Sequence, residues 1–557
     1  MLAVLMAMLA AFSLLAGRLA QLMLFPPEER LLSIRHTRNF FDIREARRGN
    51  IYDRSGLALA VTVPAVELGV DPKLLGDRLD EVLEGLAAIL QTSVQELRAP
   101  IDGRLEKFPR TRWVSLADRI PEPIFQRIGR ESWPGVYGHR RFLRIYPQHR
   151  SACHVIGFLN RENVACCGVE KFADFFLRGQ DGWILSEKDG RRRELRQFRS
   201  RGIGEENGCA VHLTIDLAIQ RLAEEELERM AREFSPESAV ILVSEAESGK
   251  LLALACWPSY DPNEFFKTPL DHLRNRAICD CYEPGSVFKI VAASAGLEEG
   301  IVHPQTIFHC AEDHFTHGDR RYQLPKDHSA FGDLSLTDVL RRSSNRGSAQ
   351  IAIRLGPERF YAYVRRFGFG ERSGYGFDGE VEGILHPPRL WDGLTITRMP
   401  MGHAIAVTPL QTHLAMGILA SDGYLLTPQL VEKIVAEFGE GIPASWLGQP
   451  IIRRQVLARR TVCQMRAMLH NPADGPIAGC RGFASKTGTA QKIVDGRYVH
   501  NRHVASCSGF FPVDRPRFVV TVVVDSPDAV GGVGWGSRYA KPSFRRIVEK
   551  MVRMGLL

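Results

Sequence analysis

Glu283-Pro284-Gly285-Ser286-Val287-Phe288-Lys289 places a hydroxyl and an amine three residues apart, directly behind a Pro-Gly break. If a helix begins there, the two side chains share one face, one turn apart. A free serine is a weak nucleophile and needs a base within hydrogen-bond reach. A lysine on the same face can be that base once burial or a second cation pulls its pKa down. Serine and lysine are common surface residues, so S-x-x-K carries weight only if the rest of the chain supplies its partners.

Two such partners lie downstream. Ser343-Ser344-Asn345 follows Leu340-Arg341-Arg342, and Lys486-Thr487-Gly488-Thr489 sits in a strand-like run. Ser343 can pass a proton between the base and a leaving nitrogen, and Asn345 can both donate to and accept from a substrate amide. Lys486 adds a fixed positive charge, which would lower the pKa of Lys289 and attract a carboxylate. Thr487 can hydrogen-bond that carboxylate. Gly488 leaves the strand edge bare for a peptide backbone. The backbone N–H groups of Ser286 and Thr489 can form an oxyanion hole, typically worth ~10²–10³ in rate per donor. Alone, S-x-N and K-T-G mean little; with S-x-x-K, in this order, the three form a specific signature.

The surrounding texture is that of an α+β domain. Thr214-Ile215-Asp216 reads as a capping start for an amphipathic helix over Leu217–Phe234. Strands are expected at Ser238–Ser244 and Leu251–Trp257 around a Glu247–Lys250 turn, and again at 482–491, 503–511 and 518–525. Helices are expected over Ser286–Leu297, Leu340–Leu355 and 541–553, covering an antiparallel sheet. Upstream, Asp53-Arg54-Ser55-Gly56 is a turn, Leu79–Leu90 has helical periodicity, and residues 183–213 alternate like strands. The Arg191-Arg192-Arg193 run through Arg201 reads as a solvated hairpin face. The predicted boundaries are an apolar N-terminal segment at 1–25, a mixed part at 26–210 and an α+β domain carrying the three motifs at 211–557.

With 557 residues and a net charge of +8, the chain is mildly basic, and no helix-turn-helix, zinc-finger or RNA-recognition signature suggests nucleic acid. Leu2–Phe25 is almost wholly apolar, broken by Ser13, Gly17, Arg18 and Gln21, and precedes Pro26-Pro27. It is long enough to cross a ~30 Å hydrocarbon core. It lacks the charged n-region of a cleaved signal peptide, so an uncleaved single-pass anchor is expected. The eleven cysteines show no zinc spacing and read mostly as small core residues.

On these motifs the chain resembles the class B penicillin-binding proteins, and the resemblance extends to the N-terminal half. There it rests on Arg48–Gly56 with Leu59-Ala60, on Arg144–Pro147 with His154 and Gly157, and on Gly168-x-Glu170. Arg48, Asp53 and Glu170 look like polar struts of a non-catalytic pedestal. The acidic residue in Glu283-Pro284-Gly285-Ser286, with Gly496-Arg497-Tyr498-Val499 and Pro516-Arg517-Phe518, is similar to the division-type (FtsI) group. Cys279 and Cys281 stand where the family is variable, and no glycosyltransferase-like region suggests class A.

The resemblance implies a fold with an N-terminal transmembrane helix, an elongated mixed pedestal and a C-terminal transpeptidase domain. It implies a serine D,D-transpeptidase that cross-links peptidoglycan stem peptides ending in D-Ala-D-Ala and is acylated by β-lactams at Ser286. Catalytic residues would be Ser286, Lys289, Ser343, Asn345 and Lys486, with Thr487, Gly488 and Thr489 binding substrate and oxyanion, and no cofactor or metal. The bulk of the chain would lie outside the cytoplasmic membrane, in the periplasm. Its partners would be a SEDS-type glycan polymerase and other divisome membrane proteins. Elongation-type transpeptidase and D,D-carboxypeptidase remain alternatives, because motifs do not distinguish a water from an amine acceptor. A β-lactam sensor or an inactive divisome scaffold is disfavoured by the intact motifs and the single apolar span. A class A β-lactamase would need an E-x-x-L-N glutamate, which does not follow Asn345.

Overall fold

The computed structural model describes residues 1–25, 39–188, 194–436, 439, 441–443, 451–494, 496–528 and 535–557. The Pro26-Pro27 break and the Arg191-Arg192-Arg193 run lie outside the described residues. Helix α1, Leu2–Leu24, spans 23 residues and is apolar enough to cross a membrane. At 1.5 Å per residue it is ~35 Å long.

Packing divides the chain into two compact units: residues 1–48, 64–142 and 178–208 form one, and residues 49–63, 143–177 and 209–557 the other. In the first, the helices Leu79–Leu90, Val94–Lys107 and Glu122–Arg130 bury Leu83, Leu86, Ile101 and Ile128 with Val66, Leu68 and Val70. A smaller antiparallel sheet pairs Asn39–Arg44 with Gly182–Lys188.

The second unit is built on a five-stranded antiparallel sheet. Its strands are β1 Ser238–Glu245, β2 Leu251–Trp257, β3 Ala484–Val494, β4 Arg497–Phe511 and β5 Phe518–Asp525, in spatial order β2-β1-β5-β4-β3. β1 (SAVILVSE) and β5 (FVVTVVVD) are buried on both faces, which explains why neither shows hydrophobic alternation. On one face lie α2 (Leu217–Phe234) and α6 (Lys541–Arg553), sharing a core with Ile241, Val522 and Phe544. The other face is covered by helix α5 (Pro409–Ala420), which is buried along nearly its whole length. One polar line crosses that face. Buried His413 of α5 bridges Ser244 (2.8 Å) and Thr521 (2.9 Å), and Thr521 meets Ser508 at 2.7 Å, so these four buried side chains satisfy one another. A second layer holds α3 (Lys289–Glu298) and α4 (Asn345–Leu355). A Cβ on Gly296 of α3 would sit 2.8 Å from Ile351 of α4, so glycine sets how closely these helices pack.

The expected α+β class and most elements are observed. Asp216 caps α2 by accepting from Ala218 and Ile219 N–H. Asp53 Oδ1 closes its own turn onto Ser55 and Leu57 N–H (both 2.8 Å), and Oδ2 accepts from Leu217 N–H at 3.2 Å. Buried Arg144 donates to Glu170 (2.7 Å), to the Gly49 carbonyl (2.7 Å) and to Thr62 (2.9 Å). Two expectations need correction. Only Cys153, Cys256, Cys310 and Cys507 of the eleven cysteines are fully buried, so most are not core residues. The single helix expected over 340–355 is two helices, Leu336–Arg341 and α4, with a break at the site itself.

Candidate active site

A short 3-10 turn, Gly285–Phe288, leads into α3. Gly285 adopts φ +56°, and a Cβ there would lie 2.7 Å from the Thr489 carbonyl oxygen, so only glycine lets this turn press against β3. The same contact brings the backbone next to Ser286 alongside that of Thr489, as an oxyanion pair requires. From Lys289 to Leu297 every α3 residue is buried, because the sequence KIVAASAGL presents no polar face. Lys289 is thus drawn into apolar surroundings, and its Nζ lies 2.7 Å from Ser286 Oγ.

The break before α4 supplies the remaining contacts. Ser343 sits at φ +60°, and this left-handed residue turns both its carbonyl (2.7 Å) and its hydroxyl (3.1 Å) toward Lys289 Nζ. Asn345 Oδ1 lies 2.7 Å from the same nitrogen. Ser344 caps α4 by accepting from Gly347 N–H (3.1 Å), which is why the chain restarts a helix here instead of continuing one. From β3, Lys486 Nζ donates to Ser343 Oγ (3.0 Å) and to the Thr487 carbonyl (3.2 Å). Ser286, Lys289, Ser343, Asn345 and Lys486 therefore form one connected cluster, assembled from three segments up to 200 residues apart in sequence (486 − 286).

Burial is the chief cause that pushes the Lys289 pKa well below the usual lysine range. The Lys486 charge adds to this, and Asp327 opposes it. Lys486 is itself pulled down to about 8, again mainly by burial. Lys486 therefore lowers the Lys289 pKa as expected, behind burial, and one expectation changes: with its own pKa at about 8, Lys486 is not a fixed charge across the alkaline range. The reason for Gly488 also changes. A Cβ there would fall 2.4 Å from Ser506 Oγ and 2.5 Å from the Pro284 carbonyl, so the glycine admits the nucleophile turn rather than leaving space for a ligand. β3 is nevertheless an edge strand: among the described residues, no other strand of its sheet pairs along its outer side.

Residues 239–549 match the family model described as "Penicillin binding protein transpeptidase domain". The chain belongs to this family. Residues 43–213 match "Penicillin-binding Protein dimerisation domain", which makes this a class B penicillin-binding protein. It is 29% identical over 560 residues to peptidoglycan D,D-transpeptidase FtsI of Escherichia coli K12, covering 98% of this chain and 90% of that protein. It is 28% identical to stage V sporulation protein D of Bacillus subtilis, covering 91% and 78%. Among solved structures, penicillin binding protein 3 of Mycobacterium tuberculosis complexed with ampicillin aligns with a TM-score of 0.68 at 25% identity, covering 93% of this chain and 97% of that one.

In this penicillin-binding protein, Thr487 and Thr489 follow Lys486 along the open edge of β3, and Thr489 Oγ1 accepts from Gly536 N–H at 2.9 Å. Asp327 belongs to none of the three motifs. Its buried carboxylate accepts the N–H groups of Asn345 and Arg346 and the Ser344 hydroxyl (2.8 Å), while Asn345 Nδ2 donates to the Lys326 carbonyl (2.9 Å). Asp327 thereby fixes the turn that carries Ser343 and Asn345. Nothing local marks it, because its partners lie 17 to 19 residues away.

Proposed function

We propose that this penicillin-binding protein is a peptidoglycan D,D-transpeptidase that cross-links stem peptides at the division septum through an acyl-enzyme on Ser286. The observation that carries the reading is the 2.7 Å approach of a wholly buried lysine amine to the Ser286 hydroxyl. Neutral Lys289 takes the Ser286 proton as Oγ attacks the carbonyl between the two terminal D-alanines. General-base help of this kind typically contributes ~10²–10⁴ in rate. The oxyanion is held by the N–H groups of Ser286 and Thr489. As the C–N bond breaks, a proton passes through Ser343, backed by Lys486, to the departing D-alanine nitrogen. Asn345 holds the donor amide, and Lys486 and Thr487 receive the terminal carboxylate. An amine of a neighbouring stem then attacks the acyl-enzyme and releases Ser286.

β-Lactams would enter the same path and stop at the acyl-enzyme. The septal assignment rests on Glu283 before Pro284-Gly285-Ser286 and on the likeness to FtsI. α1 would anchor the chain in the cytoplasmic membrane with its bulk in the periplasm, beside a SEDS-type polymerase and other divisome membrane proteins. A fluorescent penicillin should label the wild type and not Ser286→Ala; a label that survives in the variant removes the nucleophile. Depletion should give filamentous cells, and rounded cells would reject the septal role in favour of elongation.

A further inference from the structure

Glu283 joins three chain segments beside the nucleophile. Its buried carboxylate accepts from Ala404 N–H at 2.9 Å and from the Tyr498 hydroxyl at 3.2 Å on each oxygen, and it lies 2.9 Å from His403 Nδ1. Ala404 is held at φ +59°, a left-handed conformation that a Cβ makes costly and that persists only where neighbours enforce it. The adjoining Gly402 packs directly on the nucleophile turn, since a Cβ there would lie 2.1 Å from the Gly285 carbonyl oxygen. Tyr498 belongs to β4, where it pairs with Ile493 at the far end of the hairpin that begins with Lys486-Thr487-Gly488. The carboxylate therefore fastens that far end to the turn carrying Ser286.

The far end carries exposed apolar side chains: Ile493 is 45% and Tyr498 49% accessible. On the transpeptidase reading, on which this inference rests, the two terminal D-alanines cover roughly 7 Å of the β3 edge, from Thr487 to Thr489. Residues earlier in the stem peptide then run past Gln491 toward Ile493 and the Tyr498 ring. We infer that Glu283 is a positioning residue for donor selectivity: by holding Tyr498 and the hairpin end beside the Ser286 turn, it shapes the wall met by the stem residues upstream of D-Ala-D-Ala. Donors too short to reach that wall are indifferent to it.

The test uses full-length protein in detergent with Glu283→Gln, Tyr498→Phe and the double variant. Penicillin labelling reports Ser286. D-Alanine release from N-acetyl-D-Ala-D-Ala and from a pentapeptide stem, each with saturating amine acceptor, reports donor length. Each single variant should lower pentapeptide kcat/KM by about tenfold, the scale of one lost hydrogen bond to a charged group, chiefly through KM. Labelling and the short donor should change less than about twofold, and the double variant should be no worse than the worse single one. Equal losses on both donors, additive losses, or an unaffected Tyr498→Phe would overturn the inference. A wild type that penicillin does not label would overturn the transpeptidase reading itself, and the inference with it. A labelled wild type whose variants keep the donor ratio overturns the inference alone.

Discussion

Acylation by a fluorescent penicillin should follow a bell in pH, and Lys486 should set its alkaline limb. Burial brings the Lys486 pKa down to about 8. The protonated fraction is then ~0.9 at pH 7 and ~0.1 at pH 9, so a step that needs the cation slows roughly tenfold over that interval. The acid limb belongs to Lys289, whose amine must be neutral to accept the Ser286 proton. Its pKa is lowered first by burial and then by Lys486, so the two apparent values are properties of the pair. Lys486→Arg separates charge from titration, because a guanidinium stays protonated beyond about pH 12. Whatever the variant loses in absolute rate from altered geometry, its profile should remain flat from pH 7 to pH 10. The assay is the second-order labelling rate of full-length protein at constant ionic strength, corrected for alkaline hydrolysis of the β-lactam and checked by thermal melts at each pH. A wild-type rate that does not fall by pH 10, or a Lys486→Arg variant with the same alkaline limb, would refute the assignment.

Three further outcomes are expected. Asp327→Asn removes the charge that opposes the lowering of the Lys289 pKa, so the acid limb should move to lower pH, with a loss of about 1–3 kcal/mol in stability from the weakened turn; a limb that moves upward contradicts the geometry. Gly488→Ala drives a Cβ to 2.5 Å from the Pro284 carbonyl and should cost about 1–3 kcal/mol in a denaturant titration, together with most of the labelling rate. Glu170→Gln leaves the buried Arg144 guanidinium without its carboxylate and should cost about 3–5 kcal/mol. Labelling of the protein that remains folded at low temperature should continue at the wild-type rate, and a slower rate there would give Glu170 a part in the chemistry.

Much of the sheet was legible because β1, β2 and β5 are short apolar runs punctuated by turns. Leu251–Trp257 and Phe518–Asp525 fall where the apolar runs place them. The helix ends that the sequence missed are those decided by long-range contacts. Arg342-Ser343-Ser344 has no breaker residue, and its helix is interrupted because Asp327 and Lys289 compete for the backbone and side chains there. Gly488 was visible as a glycine, but its reason was not, since the atoms that exclude a Cβ belong to Pro284 and Ser506.

The sequence by itself determined the identity and order of Ser286, Lys289, Ser343, Asn345 and Lys486, the α+β class, and the apolar helix ahead of them, because residue type and periodicity are local properties. Only the tertiary structure decided the protonation poise of the two lysines, the strained turn at Ser343 and the tie from Glu283 to Tyr498. Each of these depends on burial or on partners distant in the chain, and desolvation and hydrogen-bond geometry exist only once the segments have packed together.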